Sequence, residues 1–345
     1  MRYVTTRSKE KTFSPLHALN DQRAEDGGFY IPAVMPAFSP EEIDAFAMKN
    51  PNQAIAEILN LLFGCDLNRW DVDFAAGRYP VRISTMNHRI VVAESWHNAQ
   101  WDFSAMVQGL TARIRESRDM DTPPGEWSWI AVRIGVLFGI FGELMREGIA
   151  SRSHPVDFAV PSGDFTAVMA AWYARSWGLP VRNIIICCNE NNNLWDLVYH
   201  GQMRTSTALQ TTETPDCDHV VAPSLERLIH ACGGEGDVER FLRNCDEGRA
   251  FFPEELALEK LQKGLHAVVV SRKRMESTIP NAYSTHSYVF GPYSALTYAG
   301  LLDYRARTGE SGYGLILSER GALCDDGYVA RAMNVTVSKL HKILD

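Results

Sequence analysis

The stretch from Val156 to Asn189 constrains the fold most, because two apolar runs flank one helical segment. The runs "VDFAV" and "VRNIIICCN" are apolar at most positions, which is typical of strands buried on both faces of a sheet. Between them, "TAVMAAWYARSW" is predicted to be a helix that ends at a Gly-Leu-Pro breaker. A strand, a helix and a strand in this order predict parallel strands joined by a right-handed crossover.

The same alternation extends along the chain. Buried strands are predicted in "RIVVAESW", "LHAVVVS" and "YGLILSE", and apolar helices in "DFSAMVQGLTARIRES", at Trp129 to Glu147 and in "GPYSALTYAGLLDYRAR". We therefore predict an α/β fold with a parallel sheet. Polar side chains follow the strand at residues 181–189, and this Asn-rich run (189–193) is expected to cap the next helix.

Composition narrows the classes of partner. The 345 residues are 46% apolar, with a net charge of -8, which favours a folded protein and gives no general attraction to nucleic acid or to an anionic membrane. No secretory signal is recognised, so we expect a cytoplasmic location. The seven cysteines have neither a disulfide-framework spacing nor a close Cys-x-x-Cys pair, and no metal site is predicted.

A turn of small residues joins "VDFAV" to its helix. It comprises Ser162, Gly163, Asp164, Phe165 and Thr166. A turn that leads from a strand into a helix N-terminus often binds phosphate through backbone N–H groups. The alternative is a plain connection between strand and helix.

Several stretches together resemble the threonine synthase family, whose members are fold-type II pyridoxal-phosphate enzymes. They are "YVTTRS", "DGGFYIP", residues 160–192, "GPYSALTYAGLLDYR" and "GYGLILS". The resemblance implies a three-layer large domain of the threonine synthase and tryptophan synthase β type, at 91–345, behind an N-terminal helical and strand subdomain at 1–90. It also implies that the family's small mobile domain is deleted, because the chain from Thr111 to Trp127 is too short for a βαβ unit.

The resemblance fails at the cofactor lysine. The family's Lys-Asp-Phe-Gly motif corresponds to "SWHNAQWDFSAM", in which His97 remains and Trp101 stands at the lysine position, before Asp102. An indole cannot form an imine. Moreover, no lysine occurs between Asn50 and Glu259. This departure from the family motif predicts that pyridoxal phosphate, the family cofactor, is not used here.

Two further departures fall on cofactor contacts of the family. The turn at 162–166 matches the family's phosphate-binding Ser-Gly-Asn-Phe-Gly loop, but Asp164 introduces a carboxylate that would repel a phosphate. The segment that meets the pyridine nitrogen aligns with Ser318, Glu319 and Arg320, which assigns Glu319 to that position. The alternative for Glu319 and Arg320 is ordinary surface charge at a strand end.

We therefore predict a degenerate threonine-synthase-like homodimer that binds a small amino-acid-like metabolite or a protein partner. One alternative is lysine-independent catalysis by His97, Asp102, Asp164 or Glu319, although His97 is also compatible with a purely structural role. A second alternative is a lyase acting on phosphohomoserine. The tryptophans at 96, 101, 127 and 129 flank the deletion and would fill the vacated space or form a subunit contact.

Overall fold

A computed structural model describes residues 1–76, 81–86, 89–95, 103–116 and 122–345. The strands are β1 (Tyr3–Thr5), β2 (Tyr30–Pro32), β3 (Arg82–Met86), β4 (Ile90–Glu94), β5 (Val156–Pro161), β6 (Val181–Cys188), β7 (Leu265–Val269) and β8 (Gly314–Ser318). The first helices are α1 (Pro15–Asn20), α2 (Pro40–Ala45), α3 (Pro51–Phe63), α4 (Arg69–Ala76), α5 (Phe103–Ile114), α6 (Glu126–Arg146) and α7 (Thr166–Ser176). The later helices are α8 (Asn193–His200), α9 (Leu225–Asp246), α10 (Glu255–Gln262), α11 (Arg272–His286), α12 (Pro292–Thr308), α13 (Asp326–Ala332) and α14 (Val337–Leu344).

Among the described residues, six strands form the main sheet in the order β3-β4-β8-β5-β6-β7. Strands β4, β8, β5, β6 and β7 run parallel to one another, which confirms the predicted α/β fold with its parallel sheet. Strand β3 pairs antiparallel with β4 at one edge. No strand is predicted there from the sequence, because only Met86 of its five residues is buried. Strands β1 and β2 form a separate antiparallel pair.

Helix α6 is the central helix of the core. By length and composition it would qualify as a membrane-spanning helix, but most of it is buried inside the fold, which is typical of a core helix. It packs closely against the segment that contains α3, because Gly139 faces the backbone of Pro51 and Gly142 faces that of Phe46. Glycine at these two positions lets the backbones approach within contact distance.

This close approach predicts that Gly142→Ala is destabilising. An added Cβ would lie 2.6 Å from the carbonyl oxygen of Phe46, so we expect the free energy of unfolding to fall by about 1–3 kcal/mol through overpacking. The matched control is Gly236→Ala in α9, where an added Cβ meets no described atom within 4 Å and should gain up to about 1 kcal/mol of helix propensity. Urea unfolding of both variants measures the difference, and a neutral Gly142→Ala would contradict the packing.

The connection between α5 and α6 consists of residues 115–125 alone. A βαβ unit needs about 30 residues or more, so no such unit lies between these two helices. The expectation that the family's small domain is deleted at this point stays a prediction, with which the short connection agrees. The subdomain boundary at residue 90 stays a prediction.

The expected cap of α8 is wrong. The N-cap residue, Asn192, makes no capping hydrogen bond with its side chain. Instead, the side-chain amides of Asn189 and Asn191 donate to Oδ1 of Asp218, at 2.7 and 3.0 Å. The run thus connects the end of β6 to the loop before α9, a long-range contact that local sequence does not reveal.

Candidate functional site

A cavity of about 400 Å³ lies at the carboxyl ends of β5 and β8, beside the start of α7. Crevices at the carboxyl ends of parallel strands are common ligand sites, and this volume suits a small molecule. The described apolar and aromatic residues around it are Trp129, Val160, Pro161, Gly163, Ala167, Tyr293 and Leu317. The described polar ones are Gln22, Glu126, Arg133, Asp164, Asp216, His219, Ser294, Thr297, Glu319 and Arg320.

The turn between β5 and α7 satisfies much of its own hydrogen bonding. Phe165 has a left-handed φ of 74° and is fully buried, which directs the chain sharply into the helix. The N–H of Thr166 donates to Oδ1 of Asp164 at 2.9 Å. The N–H of Gly163 donates to Sγ of Cys217 at 3.3 Å. Two of the backbone donors that such a turn offers to an anion therefore already have partners in the chain.

One continuous chain of hydrogen bonds crosses the base of the cavity. Nε and Nη2 of Arg133 donate to the two carboxylate oxygens of Glu319 at 2.7 and 2.8 Å. Nη1 of Arg133 donates to the hydroxyl of Thr166 at 2.8 Å, and that hydroxyl donates to Oδ1 of Asp164 at 2.6 Å. The end of β8, the middle of α6 and the start of α7 are joined by these four side chains.

Arg133 is held as a cation despite its burial. Only 8% of the residue is exposed, and burial alone would lower its pKa, but the charge and hydrogen bonds of Glu319, with Asp164, raise the pKa above its usual value. Its guanidinium carbon lies 4.4 Å from the centre of the Phe103 ring and 5.9 Å from that of Trp129. A bidentate carboxylate and two aromatic faces thus compensate for the lost hydration.

Arg320 forms looser contacts at the rim. Its nearest carboxylate contacts, with Asp216 and Asp325, are 3.5 and 3.7 Å long, and its guanidinium lies 5.2 Å from the Tyr293 ring centre. Burial would lower the pKa of Arg320, but Asp325, Tyr293 and Asp216 raise it. Unlike Arg133, Arg320 is exposed, and its ion pairs are too long to be strong hydrogen bonds.

The structure brings part of the predicted site together. Asp164, Glu319 and Arg320 face one cavity; Thr166 binds Asp164 from the buried side, while Ser162 and Ser318 are buried beside the turn and at the end of β8. The interpretation of Glu319 as ordinary surface charge is wrong, because its carboxylate is bound by a buried arginine. His97, Trp101 and Asp102 lie outside the described residues.

The structure places the two described tryptophans of the predicted set in different surroundings. Trp127 is fully buried and donates from Nε1 to the hydroxyl of Tyr3 at 3.1 Å, so it belongs to the core and not to a subunit contact. Trp129 is half-buried and faces the cavity. Trp96, like Trp101, lies outside the described residues.

Sequence reasoning missed Arg133, Asp216, His219 and Tyr293 as cavity residues. A signal existed for Arg133, because it is the one charged residue between Trp127 and Phe141 in an apolar helix. A buried arginine needs a buried acceptor, which already suggests a partner. The other three lie on separate segments, and no local pattern connects them.

Lysines are absent from the described wall of the cavity. All eight lysines of the chain fall within the described ranges, and none of them is among the lining residues. Within the same part of the chain, no group of three or more His, Cys, Asp or Glu side chains is arranged to hold a metal ion.

The pair between Arg133 and Glu319 gives a prediction about stability. Glu319→Gln would leave the buried guanidinium without its counter-charge, and we expect the free energy of unfolding to fall by about 3 kcal/mol, the lower end for a broken buried pair. The matched control is Asp44→Asn, which breaks an exposed pair with Arg152 and should cost less than about 1 kcal/mol. If urea unfolding shows an equal loss of unfolding free energy in both variants, the buried pair stabilises the protein no more than the exposed pair.

Comparison with known proteins places the chain among relatives. A family model described as "Threonine synthase N terminus" matches residues 2–73. "Threonine synthase-like 1" from Homo sapiens is 32% identical over 158 residues, which cover 45% of this chain and 21% of that protein. Threonine synthase from Saccharomyces cerevisiae is 26% identical over 159 residues, covering 42% of this chain and 31% of the enzyme. The matched region thus spans about a fifth to a third of the length of these relatives.

The fold comparison extends over nearly the whole chain. The structure of pyridoxal-phosphate-bound threonine synthase from Brucella melitensis superposes with a TM-score of 0.85 at 18% identity, covering 97% of this chain and 92% of that one. The predicted resemblance to the threonine synthases is confirmed at the level of homology and fold.

Proposed function

We propose that this homologue of the pyridoxal-phosphate-dependent threonine synthases binds a small amino-acid-like metabolite non-covalently in its cavity and forms no imine with the cofactor. The observation that carries the proposal is the hydrogen-bonded chain from Glu319 through Arg133 and Thr166 to Asp164. It joins the turn at 162–166 to Glu319, the two places where the family resemblance implies cofactor contacts. The polar groups at both places are hydrogen-bonded to other groups of the protein.

The turn does not fit the cofactor phosphate. In the family that group is bound by the loop corresponding to residues 162–166, but here Asp164 accepts the N–H of Thr166 and Cys217 accepts that of Gly163. A phosphate would have to displace both and would then lie against a carboxylate. Two like charges about 4 Å apart repel by about 1 kcal/mol in water and by more where screening is weaker, and together with the two occupied donors this repulsion supports loss of the phosphate site.

The position assigned to the pyridine nitrogen fits no better. Glu319, which aligns there, has both carboxylate oxygens engaged by Arg133. Releasing that carboxylate would leave a buried guanidinium unpaired, at a cost of about 3–5 kcal/mol. The absence of lysine from the described wall supports the proposal independently, because the imine needs a lysine amine within reach.

The other side chains of the cavity suit a ligand that carries one positive and one negative group. Arg320 offers hydrogen-bond donors at the rim, and Asp164 offers an acceptor of the opposite charge. Trp129 and Tyr293 provide apolar surface between polar groups, as is usual in small-molecule sites. These features support an amino-acid-like ligand of about 400 Å³ or less.

Lysine-independent catalysis by His97 and Asp102 stays a prediction, because both residues lie outside the described part of the chain. Within the described residues no hydrogen bond or ion pair joins His219, the histidine of the cavity, to a carboxylate that would orient it as a general base. A parent-type lyase needs a lysine that the described wall does not contain. The lyase alternative is assayed together with the proposal.

The proposal predicts no stoichiometric pyridoxyl adduct. The purified protein is incubated with one equivalent of pyridoxal phosphate, treated with borohydride and analysed by intact-mass and peptide mass spectrometry. We expect the unmodified mass, no imine absorption band, and no release of phosphate from phosphohomoserine, because no lysine is among the described residues that line the cavity.

Yeast threonine synthase treated in parallel is the positive control. Stoichiometric labelling of a single lysine would sink the proposal, and phosphohomoserine turnover would establish the lyase in its place. Scattered trace labelling of surface lysines at a large excess of the aldehyde is avoided by the equimolar ratio.

A further inference from the structure

We infer that the cavity selects a small ligand bearing a primary ammonium group and no phosphate, with Asp164 as the counter-ion of that ammonium. The inference rests on the proposed non-covalent binding in the same cavity and names the class of ligand. It follows from the pairing of charges around the cavity, from the position of Asp164 and from the aromatic walls.

Most charges that face the cavity are already paired. Glu319 is paired with Arg133 at 2.7 Å. Glu126 is paired at 3.0 Å with Arg227, a fully buried arginine behind the wall. These two pairs are neutral overall and add no net charge for a ligand to meet.

The rim contains a third, weaker pair. Asp216 lies 3.5 Å from the Arg320 guanidinium, and Asp325, which is not among the described lining residues, lies 3.7 Å from it. Asp216 and Arg320 are exposed, so their mutual attraction is screened by water, and Arg320 retains donors for a ligand carboxylate.

Asp164 is the carboxylate left over. Its Oδ1 accepts the N–H and the hydroxyl of Thr166, but in the part of the chain that the structure describes no cation lies within ion-pair distance of it. The residue is exposed, and it lines the cavity. Among the described residues that line the cavity, Asp164 is thus a carboxylate without a direct ion-pair partner, although Arg133 lies close enough to feel its charge, and two hydrogen bonds orient it.

The walls of the cavity also favour cations. Trp129 and Tyr293 line the cavity, and each already lies near a guanidinium of the protein, Arg133 at 5.9 Å and Arg320 at 5.2 Å from the ring centres. Aromatic faces attract cations through the ring quadrupole and repel anions. An ammonium near Asp164 therefore gains mainly from the carboxylate, whereas a phosphate at the same place is repelled by it.

An amino acid with a cationic side chain combines the available contacts. Its second ammonium would pair with Asp164, and its carboxylate would accept from Arg320. L-Ornithine is the probe for this arrangement. 1,4-Diaminobutane has the ammonium groups without the carboxylate, and O-phospho-L-serine and inorganic phosphate carry the disfavoured anion.

Isothermal titration calorimetry of the full chain with these four probes tests the inference at neutral pH and low salt. We expect L-ornithine to bind more tightly than O-phospho-L-serine by tenfold or more, and its affinity to fall as salt is added. Asp164→Asn should weaken ornithine and diaminobutane by roughly tenfold to a hundredfold, the range for one hydrogen bond to a charged group. Its amide oxygen can still accept the Thr166 N–H, so the turn should persist.

Two further variants keep the result interpretable. Asp44→Asn makes the same change of charge on the surface, in a pair with Arg152, and should leave every affinity unchanged. Arg320→Gln should weaken ornithine but not diaminobutane, which separates the carboxylate contact from the ammonium contact and does not depend on the folding of the Asp164 variant.

Phosphoserine or phosphate binding as tightly as ornithine would overturn the ligand class, as would unchanged binding in a folded Asp164→Asn variant. Binding of L-serine but not of ornithine would overturn the ligand class while leaving the proposed function intact. Absence of binding by all of these small molecules would contradict both.

Discussion

The buried ion pair between Arg133 and Glu319 is the interaction on which the cavity depends. A guanidinium in the middle of an apolar helix is costly unless a carboxylate and hydrogen-bond acceptors surround it. Glu319 supplies the charge from the end of β8, and Thr166 supplies a further acceptor from the start of α7. The hydrogen bonds of Arg133 therefore hold β8, α6 and α7, the three elements at the base of the cavity, in fixed positions relative to one another.

In this threonine-synthase-like fold, the apolar packing and the polar contacts of the cleft involve different groups. The sheet and the core helix α6 are held by apolar packing, which is independent of any bound group. The polar groups at the strand ends still need partners, and here they find them in one another. Under the proposed function, a ligand would contact Asp164, which has no ion-pair partner among the described residues, and Arg320, whose ion pairs are long.

The parallel sheet could be predicted because β5, β6 and β8 are continuous apolar runs, as strands covered on both faces usually are. Strand β3 could not be predicted, since a half-exposed edge strand such as Arg82–Met86 lacks that pattern. In the site, the turn at 162–166 was found from its small residues and its resemblance to a family loop. The partner of Arg133 was not, because 186 positions separate it from Glu319, and no local spacing relates two residues that only the closed sheet brings together.

The order of strands has a consequence for how the molecule reaches this state. Strand β8 lies between β4 and β5 in the sheet, although it follows all the other strands in the chain. During synthesis the centre of the sheet therefore cannot form until β8 is made, more than 150 residues after β5 begins. Pairings between strands that are so far apart in the chain form slowly. Until β8 joins the sheet, Arg133 in α6 lacks its partner Glu319. The sheet therefore closes and the buried ion pair forms in the same step.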